Sequence, residues 1–335
     1  MEDEKKSTQN ASINLIRPIR CIVKLGGAAI TCKNELEKIN EESLKEVSAQ
    51  LRQSMIMQSP SGKNLGMDWS KRTGESDVSC DIDCFRHQPS LDSSPFIVVH
   101  GAGSFGHFQA SESGVHKGGL DQPLVKAGFV ATRISVTKLN LEIVRALARE
   151  SIPSIGMSPF SCGWSTSERN IAFADLSVVA KAIDSGFIPV LHGDAVLDNL
   201  LGCTILSGDV IIRHLAEHLK PEYVVFLTDV LGVYDRPPSD PNAVLLREIA
   251  VSEDGSWFVV KPTLENMKAV QITVAAHDTT GGMQTKISEA AMIAKLGIDV
   301  YIVKAGTSHS VRALNGGLKD DIPDDWLGTV IRLFR

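Results

Sequence analysis

A glycine-rich stretch with the sequence HGAGSFGH begins at His100 and directly follows a short apolar run. Glycine lacks a Cβ atom, so at Gly101, Gly103 and Gly106 the backbone can adopt positive φ and bring its N–H groups against an anion. His107 closes the stretch with a donor that can become cationic. These residue types in this order predict a phosphate-binding loop.

The same glycines also match G-x-G-x-x-G, the pattern of a dinucleotide-binding turn. That turn needs an apolar helix directly after it and an acidic residue beyond a second strand, about 20 residues on. Here the following residues are polar and rich in glycine, and Asp121 lies inside that loop. The sequence therefore disfavours a nicotinamide dinucleotide site.

Two lysines near Gly-Gly pairs offer cations for phosphate. Lys24 ends an apolar run just before Gly26 and Gly27, and Lys286 follows a second Gly-Gly pair at 281–282, in the first turn of a predicted helix. Two Gly-Asp turns lie between them, HGD at 192–194 and SGD at 207–209. Several such motifs in one chain indicate a site that binds phosphate groups.

The order of these motifs resembles the amino acid kinase superfamily and, within it, the isopentenyl phosphate kinases. The resemblance covers about residues 20–52 and 94–334, and it rests on VKLGGAAIT, HGAGSFGH, IPVLHGDAVLD, ILSGD, FLTDVLGVYD, TGGMQTK and LGTV. The histidine of GSFGH carries most weight, because this subfamily uses it to hold the acceptor phosphate. The resemblance implies transfer of the γ-phosphoryl group of ATP, with Mg²⁺, to isopentenyl phosphate, with dimethylallyl phosphate as a further acceptor. It also implies a homodimer and a step that feeds isoprenoid biosynthesis.

The resemblance also assigns roles to individual residues. It gives the catalytic roles to Lys24, His107, Asp209 and Lys286. It places ATP against Lys24, Leu25, Gly26, Gly27, Ala28, Lys33, Gly103, Asp229, Gly282 and Lys286, and the acceptor against Ala102, His107 and Gly208. It implies no protein ligand for the metal. Two alternatives stay open, since Asp209 could simply be a helix N-cap and Lys33 a solvated loop lysine.

Residue chemistry agrees with phosphoryl transfer between two phosphates. A phosphomonoester is largely dianionic near neutral pH, so its oxygen is already a nucleophile and needs no general base. The sequence has neither a kinase HRD motif nor a G-x-x-x-x-G-K-[ST] loop. Cations must instead offset the repulsion between the two phosphates, and Lys24, Lys286 and His107 would supply them together with phosphate-bound Mg²⁺.

A five-carbon acceptor tail has no polar group, so its pocket must be apolar. By resemblance we expect that pocket along Phe129, Val130, Ile134 and residues 155–157. His100, His192 and His277 each lie beside an apolar run or a glycine turn, and a structural role is the favoured interpretation for them.

Composition excludes several classes of protein. The chain has 335 residues, 43% of them hydrophobic, and a net charge of −6, which argues against a nucleic-acid partner. No apolar run approaches the length of a membrane span, and the first residues do not resemble a signal peptide, so we expect a cytoplasmic enzyme. Six cysteines suggest free thiols. Cys80 and Cys84 with His87 lack a fourth zinc ligand.

Periodicity predicts the elements that position these residues. Short apolar runs at 20–24, 95–99, 153–157, 187–191, 223–228 and 299–303 alternate with helical segments, among them 123–149, 174–185 and 210–219. This pattern predicts an α/β fold, a three-layer αβα sandwich with a mainly parallel central sheet, as in the amino acid kinase fold.

We expect a flexible N-terminus at 1–19 and one domain at 20–335. The domain would have an acceptor-binding lobe at about 20–200 and an ATP-binding lobe at about 201–335. Residues 53–93 are rich in Ser, Gly, Asp and Lys without a sustained period, which predicts a mobile insertion. Two other functions remain open: a sister kinase acting on another small phosphate, phosphonate or carboxylate, and a non-catalytic nucleotide-binding protein on the same fold.

Overall fold

The computed structural model describes residues 18–55, 68–70, 95–262, 282–319 and 322–334. Several predictions fall outside these ranges. They concern the N-terminus up to residue 17, most of the segment 53–93 with Cys80, Cys84 and His87, and His277 and Gly281.

A nine-stranded sheet forms the centre of the described structure, in the order β13-β12-β15-β14-β9-β1-β2-β6-β3. Its strands are β1 Cys21–Leu25, β2 Phe96–His100, β3 Ser154–Met157, β6 Ile188–His192, β9 Tyr223–Thr228, β12 Glu248–Val251, β13 Trp257–Lys261, β14 Asp299–Lys304 and β15 Thr329–Leu333. Six of its eight strand pairs are parallel, and only β12–β13 and β14–β15 are antiparallel. The prediction of a mainly parallel sheet is confirmed.

Smaller sheets lie beside it. A four-stranded sheet has the order β5-β4-β7-β8, and β10 pairs with β11. These strands are β4 Ser165–Ser167, β5 Asn170–Phe173, β7 Asp194–Asp198, β8 Gly202–Leu206, β10 Val233–Tyr234 and β11 Leu245–Leu246.

The described α-helices connect the strands. They are α1 Gly27–Ile30, α2 Glu41–Met55, α3 Gly103–Ser113, α4 Pro123–Arg149, α5 Ser177–Asp184, α6 Gly208–Leu219, α7 Gly282–Ala294 and α8 Ser308–Leu314. Helix α4 has the predicted bounds and begins with proline, whose fixed φ suits the first helical position. Helix α5 is shorter than the predicted 174–185 and is followed by Gly186 at φ 84°.

Both faces of the central sheet are covered. Alternate residues of its central strands belong to two separate cores: Ile22 packs with α5, α6 and α7 on one face, and Val23 packs with α2, α4 and α8 on the other. Strands β1, β2 and β9 are buried along their whole length, as expected for apolar runs inside a parallel sheet. The three-layer αβα fold is therefore confirmed.

Two segments differ from the expectations. The glycine-rich stretch is helical from Gly103, where a loop was predicted through residue 107. Helix α2 continues to Met55, with Ser54 and Met55 buried, so the first residues of the proposed insertion at 53–93 belong to the core. Within that segment Trp69 also donates its backbone N–H to the Ala148 carbonyl, at 3.1 Å. The division into two lobes stays a prediction.

No helix in the described ranges is both long enough and apolar enough to span a membrane.

Candidate active site

A cavity of about 940 Å³ opens where the central parallel strands end. Lys24 and Gly26 line it at the end of β1, Gly101 after β2, Gly193 after β6 and Asp229 after β9. Ligands of open parallel sheets bind at the carboxyl ends of the strands. The cavity therefore lies where the fold favours a binding site.

Two lysines from opposite ends of the chain meet at one carboxylate in this cavity. Lys24 is only 6% exposed and forms an ion pair with Asp209, and the Lys286 Nζ atom lies 3.8 Å from the other oxygen of the same carboxylate. Burial alone would raise the pKa of Asp209, but the charges of Lys24 and then Lys286 outweigh it and hold that pKa below its usual value. The carboxylate stays ionised and holds both lysines in place.

The N-cap alternative for Asp209 is wrong. Ser207 is the N-cap residue of α6, and its side-chain oxygen accepts the Asp209 backbone N–H at 3.2 Å. The Asp209 side chain is thereby left to contact the lysines. The sequence contains a signal for Ser207 as the N-cap residue, because serine is a strong N-cap residue and stands two positions before the aspartate.

Glycines allow the turn after β1 and the turn after β2 to bring their backbones close together. A Cβ atom at Gly27 would lie 2.4 Å from the Gly103 backbone N, and one at Gly101 would lie 3.1 Å from the Gly27 N. Of Gly101, Gly103 and Gly106, only Gly103 adopts positive φ, at 51°. The expectation of positive φ was therefore wrong for Gly101 and Gly106, where glycine is needed for space.

Helix α3 holds His107 in the cavity wall, half-buried, in the turn that follows Gly103. The start of α3 is tied to the first turn by Thr31, whose hydroxyl accepts the Ser104 N–H at 3.1 Å and donates to the Gly27 carbonyl at 2.8 Å. The sequence reasoning missed this threonine. Its only signal was its position within the motif VKLGGAAIT.

At the other side of the cavity, Lys33 and Asp229 form an ion pair at 2.5 Å. The Lys33 side chain is 61% exposed, so it is largely solvated but has a partner in the cavity wall. Both residues were predicted on the ATP side. The structure brings them together at one edge of the cavity.

A second buried carboxylate, Asp194, was not predicted. It is 1% exposed and lines the cavity. It accepts hydrogen bonds from the Ser158 hydroxyl at 2.7 Å and the Phe160 backbone N–H at 3.2 Å, and it pairs with Arg133 at 3.3 Å. The Arg133 guanidinium also lies 4.1 Å from the centre of the Phe160 ring. The Gly-Asp turn at 193–194 was the available signal for this residue.

The residues expected to form the tail pocket do not line this cavity. Val130 and Ile134 lie on the outer face of α4, 54% and 65% exposed, and do not line the cavity. Phe129 is buried, packs edge to face on Phe160 at 5.6 Å and does not line the cavity. Residues 155–157 do not line the cavity either. The apolar residues that do line it include Phe108, Ala110, Val136, Ile205, Leu206 and Met283.

The remaining predicted residues divide as follows. Gly26, Ala28, Ala102 and Gly208 line the cavity, as does Gly103. Leu25 does not line it: the side chain is fully buried in the core, and its carbonyl accepts the Gly101 N–H at 3.0 Å.

Gly282 is the first described residue of α7. His100 and His192 are buried, as the structural interpretation predicted.

Each aspartate of the cavity wall has a cationic partner among the described residues. Asp194 pairs with Arg133, Asp209 with the two lysines, and Asp229 with Lys33. A group of His214, Glu217 and His218, whose potential ligand atoms lie within 4.8 Å of one another, is on α6 and does not line the cavity. In the described part of the cavity wall, therefore, no carboxylates are grouped as metal ligands without a cationic partner.

The chain is similar in sequence to known proteins. Residues 86–304 match the amino acid kinase family. The chain is 75% identical over 326 residues to an isopentenyl phosphate kinase of Arabidopsis thaliana, covering 96% of this chain and 98% of the relative. It is 36% identical over 230 residues to an isopentenyl phosphate kinase of Methanothermobacter thermautotrophicus, covering 67% and 81%.

Solved structures are similar as well. A solved isopentenyl phosphate kinase structure has a TM-score of 0.66 and 28% sequence identity, covering 93% of this chain and 100% of that one. Together with the paired lysines and the glycine turns, these likenesses show that the chain belongs to the amino acid kinase family, among the isopentenyl phosphate kinases.

Proposed function

We propose that this chain transfers the γ-phosphoryl group of ATP to isopentenyl phosphate, producing isopentenyl diphosphate and ADP. One observation carries the proposal: Lys24 and Lys286 converge on Asp209 in a cavity that also presents His107. The 75% identity to the Arabidopsis isopentenyl phosphate kinase supports the choice of acceptor.

The cations reduce the repulsion between the two negatively charged substrates, which is the main electrostatic barrier to the reaction. Unit charges of like sign about 4 Å apart repel by about 4 kcal/mol at an effective dielectric near 20, and both substrates carry several charges. Lys24 and Lys286 together with Asp209 leave a net positive charge at the centre of the cavity. Lys24 would contact the transferring phosphoryl group, and Lys286 would stabilise charge on the oxygen between the β- and γ-phosphates.

Backbone groups would bind the phosphates on each side. Gly27, Ala28 and Gly103 lie on the ATP side of this proposal, with Lys33 and Asp229 at its edge. Mg²⁺ would travel with the ATP phosphates, because the described aspartates of the wall are already paired with cations. When bound, the ion would neutralise phosphate charge.

The acceptor phosphate would lie against His107 and the backbone of Ala102 and Gly208. A Cβ atom at Gly208 would come within 3.2 Å of the His100 carbonyl and 3.3 Å of the Lys24 Cε, so glycine allows this close approach. Attack by the acceptor oxygen on the γ-phosphorus forms the new P–O bond as the bond to ADP breaks. No side chain must remove a proton, since the acceptor is already a dianion.

A coupled ADP-release assay tests this function. Isopentenyl phosphate should give turnover with ATP and Mg²⁺, and dimethylallyl phosphate is the second proposed acceptor. Glutamate and small phosphonates serve as competing acceptors, because a glutamate 5-kinase of Nitrobacter hamburgensis is 25% identical to this chain over 226 residues. Faster turnover with one of those would identify a sister kinase. ATP binding without ADP release from any acceptor would identify a non-catalytic protein.

The prenyl tail would occupy the apolar wall formed by Phe108, Ala110, Val136 and Ile205. Each buried CH₂ group contributes about 0.8 kcal/mol, so added space changes selectivity only moderately. Ile205→Ala should shift kcat/KM toward longer prenyl phosphates and leave the KM for ATP unchanged. Ile134→Ala is the matched control, since that side chain faces away from the cavity. A shift in the control alone would contradict this assignment.

We also propose a homodimer that packs along α4. Val130, Ile134 and Leu141 are each more than half exposed and share one face of this helix. A second copy of the chain could cover this stripe. Light scattering should therefore show a dimer for the wild type and a monomer for Ile134→Arg; a dimeric variant would place the interface elsewhere.

A further inference from the structure

Two buried histidines end neighbouring strands directly beneath the cavity. His100 and His192 are the last residues of β2 and β6 and are paired in register. They are at most 1% exposed, and their rings stack with centroids 5.4 Å apart. The reaction described above gives neither ring a role.

Hydrogen bonds determine which nitrogen of His100 carries a proton. The Nδ1 atom lies 3.0 Å from the Gly101 carbonyl, which can only accept, so Nδ1–H donates. The Asn140 amide donates to His100 Nε2 at 3.1 Å and to the Val190 carbonyl at 3.0 Å. His100 is therefore neutral with its proton on Nδ1. Burial, and then the charge of His192, lowers its pKa to about 3.

His192 repeats the arrangement one strand away. Its Nδ1 lies 3.0 Å from the Gly193 carbonyl, and the Gly193 N–H donates to the His100 carbonyl at 3.0 Å. Each imidazole thus holds the carbonyl of the glycine that follows it. The two glycine turns are also joined through the backbone.

The held carbonyl determines the direction of the next amide. In a planar trans peptide the C=O and the following N–H point in opposite directions. Because the Gly101 carbonyl points to the buried ring, the Ala102 N–H points away from it, and Ala102 lines the cavity.

We propose that His100 is a positioning residue, which holds the Gly101 peptide so that the Ala102 N–H faces the acceptor phosphate. His192 supports it by holding the adjoining Gly193 turn, which is joined to His100 through the backbone. This inference rests on the proposed acceptor site. It assigns the two rings a role in acceptor affinity, without any contact to substrate.

Two substitutions separate this role from simple packing. His100→Phe keeps a ring but removes both hydrogen bonds, whereas His100→Asn keeps a donor that can reach the Gly101 carbonyl. In His100→Phe the KM for isopentenyl phosphate should rise about tenfold or more, as for one lost hydrogen bond, with the KM for ATP changed less than twofold. His100→Asn should restore most of the acceptor affinity. Val98→Ala, a core variant in the same strand, is the control for lost stability alone.

Two results would overturn the inference. One is a folded His100→Phe enzyme with the acceptor KM of the wild type. The other needs no variant: ¹⁵N spectroscopy of the wild-type histidines should show the Nδ1–H tautomer for His100, and the Nε2–H tautomer would contradict the proposal even if His100→Phe does not fold. Absence of ADP release by the wild-type enzyme would instead refute the proposed function.

Discussion

The centre of the cavity depends on how three charged side chains balance one another. Lys24 is buried, and burial disfavours an ammonium group that has no opposite charge beside it. Asp209 provides the opposite charge, and its single carboxylate pairs with both Lys24 and Lys286. One carboxylate for two lysines keeps both ordered and still leaves a net positive charge for phosphate.

Lys286→Ala tests the proposed role of the second lysine. Loss of one preorganised cation should lower kcat by about 100-fold or more, because the charge on the leaving oxygen develops only in the transition state. Steady-state kinetics with isopentenyl phosphate and ATP measure this change. Lys295→Ala, an exposed lysine just beyond the same helix, is the control with the same loss of charge. Full turnover by a folded Lys286→Ala enzyme would remove this lysine from the site.

Among the elements, helix α3 packs closely against α4. Gly106 faces α4, and a Cβ atom at this position would lie 2.6 Å from the Ala102 Cβ and 2.7 Å from the Val136 Cγ1. The helix that carries His107 can therefore lie this close to α4 only with glycine at 106.

Gly106→Ala should consequently displace α3. Overpacking of this kind costs about 1–3 kcal/mol of unfolding free energy, and we expect a higher KM for isopentenyl phosphate because His107 moves with the helix. Chemical denaturation and kinetics measure the two effects. Adding Val136→Ala should relieve part of the clash.

Gly114→Ala is the control for that experiment. Gly114 has φ 72° and no neighbouring atom within 4 Å, so alanine there strains the backbone without moving α3. It should lower stability and leave the KM unchanged. Equal changes in KM for both variants would contradict the packing argument.

For the whole molecule, buried neutral histidines make stability depend on pH. Burial lowers the pKa of His100 to about 3 and also lowers the pKa of His192. In the unfolded chain a histidine titrates near 6.5, so below that pH the unfolded state binds more protons than the folded state. Stability is thus fully present above about pH 6.5 and is lost as the pH falls toward the folded pKa.

Urea denaturation at pH 5.0 to 7.5 tests this dependence. Each such histidine should lower the unfolding free energy by about 1.4 kcal/mol per pH unit below 6.5. In His100→Asn the unfolding free energy should depend less on pH, because about one proton fewer is taken up on unfolding. An unchanged slope would show that His100 is not the titrating group.

The boundary of the segment after α2 gives a second test at this scale. Met55 is 2% exposed, so replacing residues 54–93 by a short Gly/Ser linker should cost about 1.5–3 kcal/mol through lost burial. Replacing 56–93 keeps Met55 and should leave kcat nearly unchanged. Thermal unfolding and the ADP assay compare the two variants. A loss of activity in the shorter replacement would show that the segment contributes to the site.

The sequence by itself determined much of the chemistry. Apolar runs bounded by glycine predicted the central strands, and the resemblance of the Gly, Lys, Asp and His motifs to the amino acid kinase superfamily implied the residues that meet around the cavity. These signals are local, because a strand or turn depends on nearby residues and the carboxyl ends of parallel strands must share one edge.

Only the tertiary structure decided which surfaces face the cavity. Helix α4 carries one apolar stripe with Leu139 that is buried and another with Ile134 that is exposed, and both have helical spacing. The partnership of Asp194 with Arg133 and that of Thr31 with Ser104 join residues far apart in the chain. Periodicity identifies an apolar face but not what packs against it, since packing depends on the crossing of elements that are distant in sequence.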